Sequence, residues 1–218
     1  DTDRSRGLGD VYKRQIFTCI ISTIFVLSVA YSMSRMRFKM RKPFMNIAMI
    51  IGLFPSFMSM IAVYYILRAL NLADGAMIRV ALIIVFSAGS GAGFYVAKGF
   101  FDTISKSLDE AAIIDGATRW NVFTKITVPL SKPIIVYTIL TSFMGPWVDF
   151  IFGKVICRAD AQYYTVSIGL WKMLEKEYID SWYTCFAAGA VVVSIPIAIL
   201  FLMTQKFYVE GMTGAVKG

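Results

Sequence analysis

The chain has 218 residues, 57% of them hydrophobic and 17% charged, and it contains no histidine. Soluble domains hold about 45–50% apolar and 25% charged residues, so this balance points to lipid rather than water as the main solvent. The net charge of +8 does not imply nucleic acid, because Arg35, Arg37, Lys39, Arg41 and Lys42 form one block between two apolar stretches, as membrane loops do.

Asp1 to Gln15 is rich in Arg, Asp and Gly and has no apolar period. It reads as a non-native or linker segment, set apart from one membrane domain over residues 16–218. Within that domain five stretches reach the roughly 20 apolar residues that cross hydrocarbon. They are Ile16–Ser34, Phe44–Leu67, Met77–Val96, Ile134–Ile156 and Thr184–Met203. The expected fold is therefore all-α, a polytopic bundle of transmembrane helices in a lipid bilayer. Pro55, Pro146, Pro196 and the cluster Gly89-Ser90-Gly91-Ala92-Gly93 fall inside these spans. Such residues are tolerated in lipid where neighbouring helices or an internal cavity satisfy the freed backbone groups. Cys19, Cys157 and Cys185 show no CxxC spacing, and without histidine neither a disulfide framework nor a metal site is expected.

Orientation follows from the lysines and arginines of the loops. The first loop carries the basic block, and the third, about residues 98–133, carries Lys98, Lys106, Arg119, Lys125 and Lys132. The second, about Arg68 to Ala76, has only Arg68, and the fourth spreads its cations over a longer segment with acids. The alternation puts the first loop, the third loop and the C-terminus in the cytoplasm. Five spans then place the start of the chain outside, where Arg4, Arg6, Lys13 and Arg14 run against the positive-inside bias. The expected resolution is that these residues are not native and that a further helix precedes the first visible span, giving six in the intact protein.

The third loop is patterned. Ser107-Leu-Asp-Glu110 fits a capping box, with Glu110 reaching back to the amide of the serine. A short helix then runs through Ala111, Ala112 and Ile114 to Gly116, which stands where a helix ends in a left-handed residue. Thr118 can cap a second short helix with Trp120, Val122, Phe123 and Ile126 on its apolar side. Pro129 biases Val128 away from helical angles and is expected to stop it, and Pro133 suits the first turn of the next span. The local pattern thus predicts a rigid protruding unit of helix, glycine turn and helix.

These residues also carry a resemblance. Glu110-Ala111-Ala112, then Asp115-Gly116-Ala117, Phe123, Ile126, Pro129 and Pro133, reproduce EAAxxDGAxxxxxFxxIxxPxxxP, the EAA loop of ABC importer permeases. Val128 stands where leucine is usual. The chain resembles the carbohydrate-uptake branch, the maltose-transporter type, and its ending, Gly211-Met212-Thr213 through Val216-Lys217-Gly218, resembles that type's tail. The resemblance implies a multi-pass protein of a bacterial-type cell membrane that pairs with a second, related permease subunit. It further implies docking of the EAA loop into a cytoplasmic ABC ATPase dimer and delivery of a sugar by an extracytoplasmic solute-binding protein. The ATPase-coupling residues it implies are Glu110, Ala111, Ala112, Asp115, Gly116, Ala117, Trp120, Phe123 and Pro129. On local grounds Asp115 could be a solvated helix-end carboxylate, but a helix C-terminus is a poor place for an anion, which favours an external basic partner; Trp120 and Phe123 read equally as anchors of an interfacial helix.

For the pathway, Asp149 is the one acid inside a predicted span, near Pro146 and Trp147. An intramembrane charge usually faces the interior, and Trp147 with Asp149 would offer a sugar an aromatic face and a polar group. Alternatively the span ends earlier and Asp149 lies at the outer headgroups. Ser87, Ser90 and Tyr95 are weaker candidates, since serines also pack helices. The glycine cluster lacks the GxxxxGK[ST] order of a phosphate loop, so ATP is expected to be used by the partner, with no cofactor bound directly and no catalytic residue here. The rival reading is an ion-coupled secondary transporter or channel, with Asp149 handling the ion.

Overall fold

The computed structural model describes residues 2–89, 93–158, 161–175 and 179–215. Among them, regular structure is helical throughout. The first helix, α1 (Thr2–Arg35), is followed by α2 (Arg41–Gly52), α3 (Ser56–Ala69), α4 (Met77–Gly89) and α5 (Gly93–Thr103). Then come three short elements, α6 (Lys106–Ile114), α7 (Arg119–Val122) and α8 (Val128–Leu130), with a π-helical segment Phe123–Thr127 between the last two. The chain ends with α9 (Lys132–Val148), α10 (Ile151–Cys157), α11 (Val166–Lys172) and α12 (Ile179–Ala215).

At the centre lies α1, packed along α5, α9 and α4. It runs antiparallel to α9, so that its start meets the end of α9 and its end meets the segment that leads into α9. Gln15 Nε2 donates to the Phe143 carbonyl at 2.6 Å, Cys19 Sγ approaches the Ile139 carbonyl, and the Tyr12 ring lies 5.4 Å from Trp147. The main core joins Val26, Ala30, Phe94, Ala97, Phe101 and Ile134 across these helices. A second core forms beside it from α3, α4, α10 and α11, around Leu67, Ile78, Leu82, Ile156 and Ile168.

The helix boundaries correct several expectations. Among the described residues two helical stretches are long and apolar enough to cross a membrane, Val11–Arg35 and Asp180–Gln205. Counting each bent helix pair as one span brings the total to four among the described residues. The span expected at 44–67 is broken at Leu53–Pro55, because proline has no N–H to continue a helix and sits here in an extended conformation. The span expected at 134–156 is broken at Asp149, which is extended, with ψ 127°. The third span extends past Val96 to Thr103, so Lys98 and Asp102 belong to a helix and the loop starts at Ile104.

The backbone of α1 runs through residue 15 without a break. The helix begins at Thr2, Gln15 is buried, and Arg14 donates to the Tyr163 carbonyl at 3.1 Å. The apolar period fails over Thr2–Gln15, but the helical backbone does not.

The break at Asp149 is stitched by side chains. Asp149 Oδ2 accepts from the Gly153 amide at 2.8 Å, Thr165 Oγ1 donates to the Asp149 carbonyl at 3.2 Å, and Ser167 Oγ donates to the Trp147 carbonyl at 3.0 Å. These bonds draw Gly153 so close to α11 that a Cβ there would lie 2.8 Å from Thr165 Cγ2 and 3.2 Å from Ile168 Cδ1. We expect Gly153→Ala to cost about 1–3 kcal/mol through overpacking. The thermal midpoint of the detergent-purified protein should fall, and adding Thr165→Ser, which removes the clashing methyl, should restore most of the loss.

Candidate functional site

The segment from Ile104 to Ser131 stands at the end of the bundle where α1 and α5 finish. Its first helix, α6, is capped by Ser105, whose Oγ accepts from the Ser107 amide at 3.3 Å. The capping box expected at Ser107 and Glu110 therefore does not form. Ser105 takes the extended cap conformation two residues earlier, which puts Ser107 inside the helix and leaves Glu110 on its exposed side. No ion pair holds the Glu110 carboxylate among the described residues.

The end of α6 follows the sequence reading closely. Gly116 is left-handed, with φ +85°. Its amide donates to the Ile113 carbonyl at 3.0 Å, and the Ala117 amide reaches back to the Ala112 carbonyl at 2.9 Å. This pair of bonds is the Schellman arrangement, which satisfies two of the orphan carbonyls at a helix end. Thr118 then caps α7 by accepting from the Asn121 amide at 3.2 Å.

Pro129 does not behave as expected. Val128 is helical (φ −60°, ψ −49°) and Pro129 lies within α8. The π-helical turns at Phe123–Thr127, where the Val128 amide donates to the Phe123 carbonyl, widen the preceding turn. That respacing relieves the clash that a proline ring makes with a carbonyl four residues back. The stop comes at Ser131, where the chain turns by 83° into α9, with Pro133 in its first turn.

Outward, this unit presents apolar side chains: Ile114 is 85% exposed and Trp120 69%, with Leu108 and Ile113 also exposed. Glu110, Ala111, Asp115 and Gly116 are exposed around them, while Ala112, Ala117 and Phe123 are half-buried. Thus the structure gathers the predicted coupling residues on one knob. Pro129 is exposed further along, beyond the π segment.

Inward, the unit is seated on the end of α1. Tyr31 lies between Phe101 and Phe123, with ring centroids 6.5 and 4.6 Å away, and its hydroxyl reaches the Arg119 carbonyl at 3.5 Å. Arg35 Nε meets Asp109 Oδ2 at 3.2 Å, and Arg35 Nη2 donates to the Ile104 carbonyl at 2.9 Å. Ser34 Oγ donates to Asp102 Oδ1 at 2.6 Å, while Lys98 holds the other oxygen at 2.5 Å. Sequence reasoning missed this seat, because Arg35 looks like one more member of the basic block. Beside it opens a cleft of about 620 Å³, lined by Arg35, Arg37, Arg41, Lys106 and Arg119 together with Asp109 and Glu110.

At the other candidate site the predicted residues separate. Asp149 lines a cavity of about 410 Å³ together with Phe86, Tyr137, Thr141 and Ser142. Trp147 is instead 2% exposed, stacked on Phe143, and donates its ring N–H to the Val193 carbonyl at 3.2 Å. Ser87 is buried, and Tyr95 donates to the Met45 carbonyl. Ser90 lies outside the described residues. The further polar lining residues Tyr137, Thr141 and Ser142 were missed because they sit in an otherwise apolar helix.

Comparison with known proteins extends this picture. The sequence profile of the family described as "Binding-protein-dependent transport system inner membrane component" matches residues 22–212. The chain is 36% identical over 208 residues to the galactooligosaccharides transport system permease protein GanQ of Bacillus subtilis, covering 94% of this chain and 72% of that protein. It is 33% identical to the maltose/maltodextrin transport system permease protein MalG of Vibrio vulnificus, covering 92% of this chain and 68% of that one. A crystal structure of a bacterial ABC transporter involved in the import of the acidic polysaccharide alginate contains a chain of the same fold. That match has a TM-score of 0.78 at 24% identity and covers 95% of this chain and 76% of that chain.

The turn itself is directly testable. Gly116→Val should destabilise it by about 1–2 kcal/mol or more, since a β-branched residue resists the left-handed region, and Gly116→Asn by clearly less. Hydrogen exchange at the Ala117 amide, protected here by the Ala112 carbonyl, should quicken in that order.

Proposed function

The chain belongs to the family of inner-membrane components of binding-protein-dependent transport systems, and on that premise we propose that it is the permease subunit of an ATP-driven importer for sugars or oligosaccharides. The knob from Ser105 to Val122 docks on a cytoplasmic ABC ATPase dimer. A second, related permease completes the membrane part, and an extracytoplasmic binding protein delivers the solute. The observation that carries the coupling role is the exposed apolar surface of Leu108, Ile114 and Trp120 beside Glu110, on a capped turn whose inner side is already packed. A water-facing apolar surface of this kind marks a contact for another protein. Sugar cargo is supported by the relatives' transport of galactooligosaccharides and maltodextrins.

Chemically this chain needs to do little. ATP is hydrolysed on the partner, and the permease converts closure of the ATPase pair into exposure of its pathway to alternate sides. A ligand that gains differently from two states can shift their balance only by that difference. The knob must therefore hold its shape while the ATPase moves, which is what the two caps and the glycine turn provide. For the pathway, the cavity at Asp149 supplies the groups sugars require: hydroxyls on Tyr137, Thr141 and Ser142, a carboxylate, and the Phe86 ring. Trp147 supports the wall from behind. Family membership favours this reading over an ion-coupled transporter or channel.

The test uses the full-length chain with its sister permease, ATPases and binding protein in proteoliposomes. Ile114→Glu together with Glu110→Ala should release the ATPase and lower binding-protein-dependent uptake about tenfold or more, the loss expected when central contacts of an interface are removed. Uptake that ignores ATP depletion but collapses with an ion gradient would overturn the proposal in favour of the rival. Across a panel of oligosaccharides, Asp149→Asn should raise the concentration needed for half-maximal uptake while leaving ATPase binding intact.

A further inference from the structure

The coupling knob is joined along the chain to α5 through Ile104 and Ser105, and to α9 through the 83° corner at Ser131. The corner is a poor lever. Ser131 adopts φ −100° and ψ 17°, and its hydroxyl, though buried, has no hydrogen-bond partner among the described residues. The π segment just before it interrupts the regular bonding of the helix that would have to push.

The side-chain attachment is lateral, to α1. The Arg35 side chain is 5% exposed and Asp109 14%, so the pair is sheltered from water at 3.2 Å, although Arg35 Nε and Nη1 and Asp109 Oδ1 have no hydrogen-bond partner among the described residues. The same guanidinium holds the Ile104 carbonyl, so one side chain grips both the first turn of α6 and the link that precedes it. One turn earlier, Tyr31 grips the second helix of the knob through Phe123 and the Arg119 carbonyl. Separating α1 from the knob would strand a buried charge on each side, whereas bending the corner at Ser131 strands none.

From this geometry we propose that Arg35 is the positioning residue through which movement of the knob enters the membrane, so that α1 rather than α9 receives the stroke. The inference rests on the knob being the ATPase contact. It also gives the stroke a destination. At its far end α1 reaches α9 close to Pro146, through Gln15 on the Phe143 carbonyl and Tyr12 on Trp147, beside the cavity that Asp149 lines. A displacement at Arg35 is delivered there along one continuous helix.

The experiment measures solute imported per ATP hydrolysed in the reconstituted complex, using the oligosaccharide that the uptake panel identifies, for Arg35→Met, Asp109→Asn and the exchanged pair Arg35→Asp with Asp109→Arg. Each single variant should keep the ATPase bound and its basal hydrolysis within about twofold, while solute per ATP falls about five- to thirtyfold, the scale of a lost coupling energy. The exchanged pair should recover a substantial part of the ratio. If a single variant keeps the ATPase bound and the wild-type ratio, the inference is overturned. It is equally overturned if the exchanged pair does no better than the singles, including the case in which a single variant fails to assemble. Failure of the docking reading looks different: Ile114→Glu with Glu110→Ala would leave the ATPase bound.

Discussion

In hydrocarbon a backbone amide or carbonyl has no water to turn to, and this constraint decides where the helices of this chain can break. The interruption at the end of α9 is matched by a local supply of partners. Around the end of α9, the Phe143, Trp147 and Asp149 carbonyls accept from Gln15, Ser167 and Thr165, and the Gly153 amide finds the Asp149 carboxylate. Outside the spans, at the end of α6, the Gly116 and Ala117 amides likewise take up carbonyls that α6 leaves open. Asp149 therefore has a structural duty as well as a place on the cavity wall: one oxygen holds the start of α10, which fixes the carboxylate that the cavity sees.

Much of the fold was legible in the residues, for reasons that are local. Apolar runs announced helices, Gly116 announced a left-handed turn, and Thr118 announced a cap; each depends only on a residue and its immediate neighbours. Misreadings came where two local rules competed. Ser105 and Ser107 both suit a cap, and the one that could adopt the extended conformation after Ile104 took it. Pro129 normally ends a helix, but a π turn removed the clash on which that rule depends. The break at Pro55 was visible as a residue but not as a boundary, because a proline within apolar sequence reads equally as a kink.

The candidate site was only half legible. Its outer surface is continuous in sequence, from Leu108 to Trp120, so spacing alone assembled it. Its inner seat joins Tyr31, Ser34 and Arg35 to residues of α5, α6 and α7. Such contacts depend on how α1 docks between α5 and α9, and no periodicity encodes that. The pathway cavity has the same character: Phe86 and Tyr137 come from different helices, and burial of Trp147 depends on the approach of α12. Knob, seat and cavity nonetheless share a single spine, since α1 touches the first at one end and the wall of the last at the other.

The π segment at Phe123–Thr127 has a meaning for how such chains can vary. A π turn is what one additional residue looks like when a helix absorbs it instead of looping it out. Deleting one residue there would restore regular α geometry and leave the flanking segments nearly in phase, whereas deleting one in the regular helix beside it would rotate everything before the gap by about 100° relative to everything after. Trp120 and the knob would then face a different way with respect to the Ser131 corner, although every motif residue remained present. The spacing between Gly116 and Pro129 is thus a phase as well as a length. Sequence drift in this stretch is free to change side chains, but insertions and deletions of a single residue are not interchangeable with substitutions.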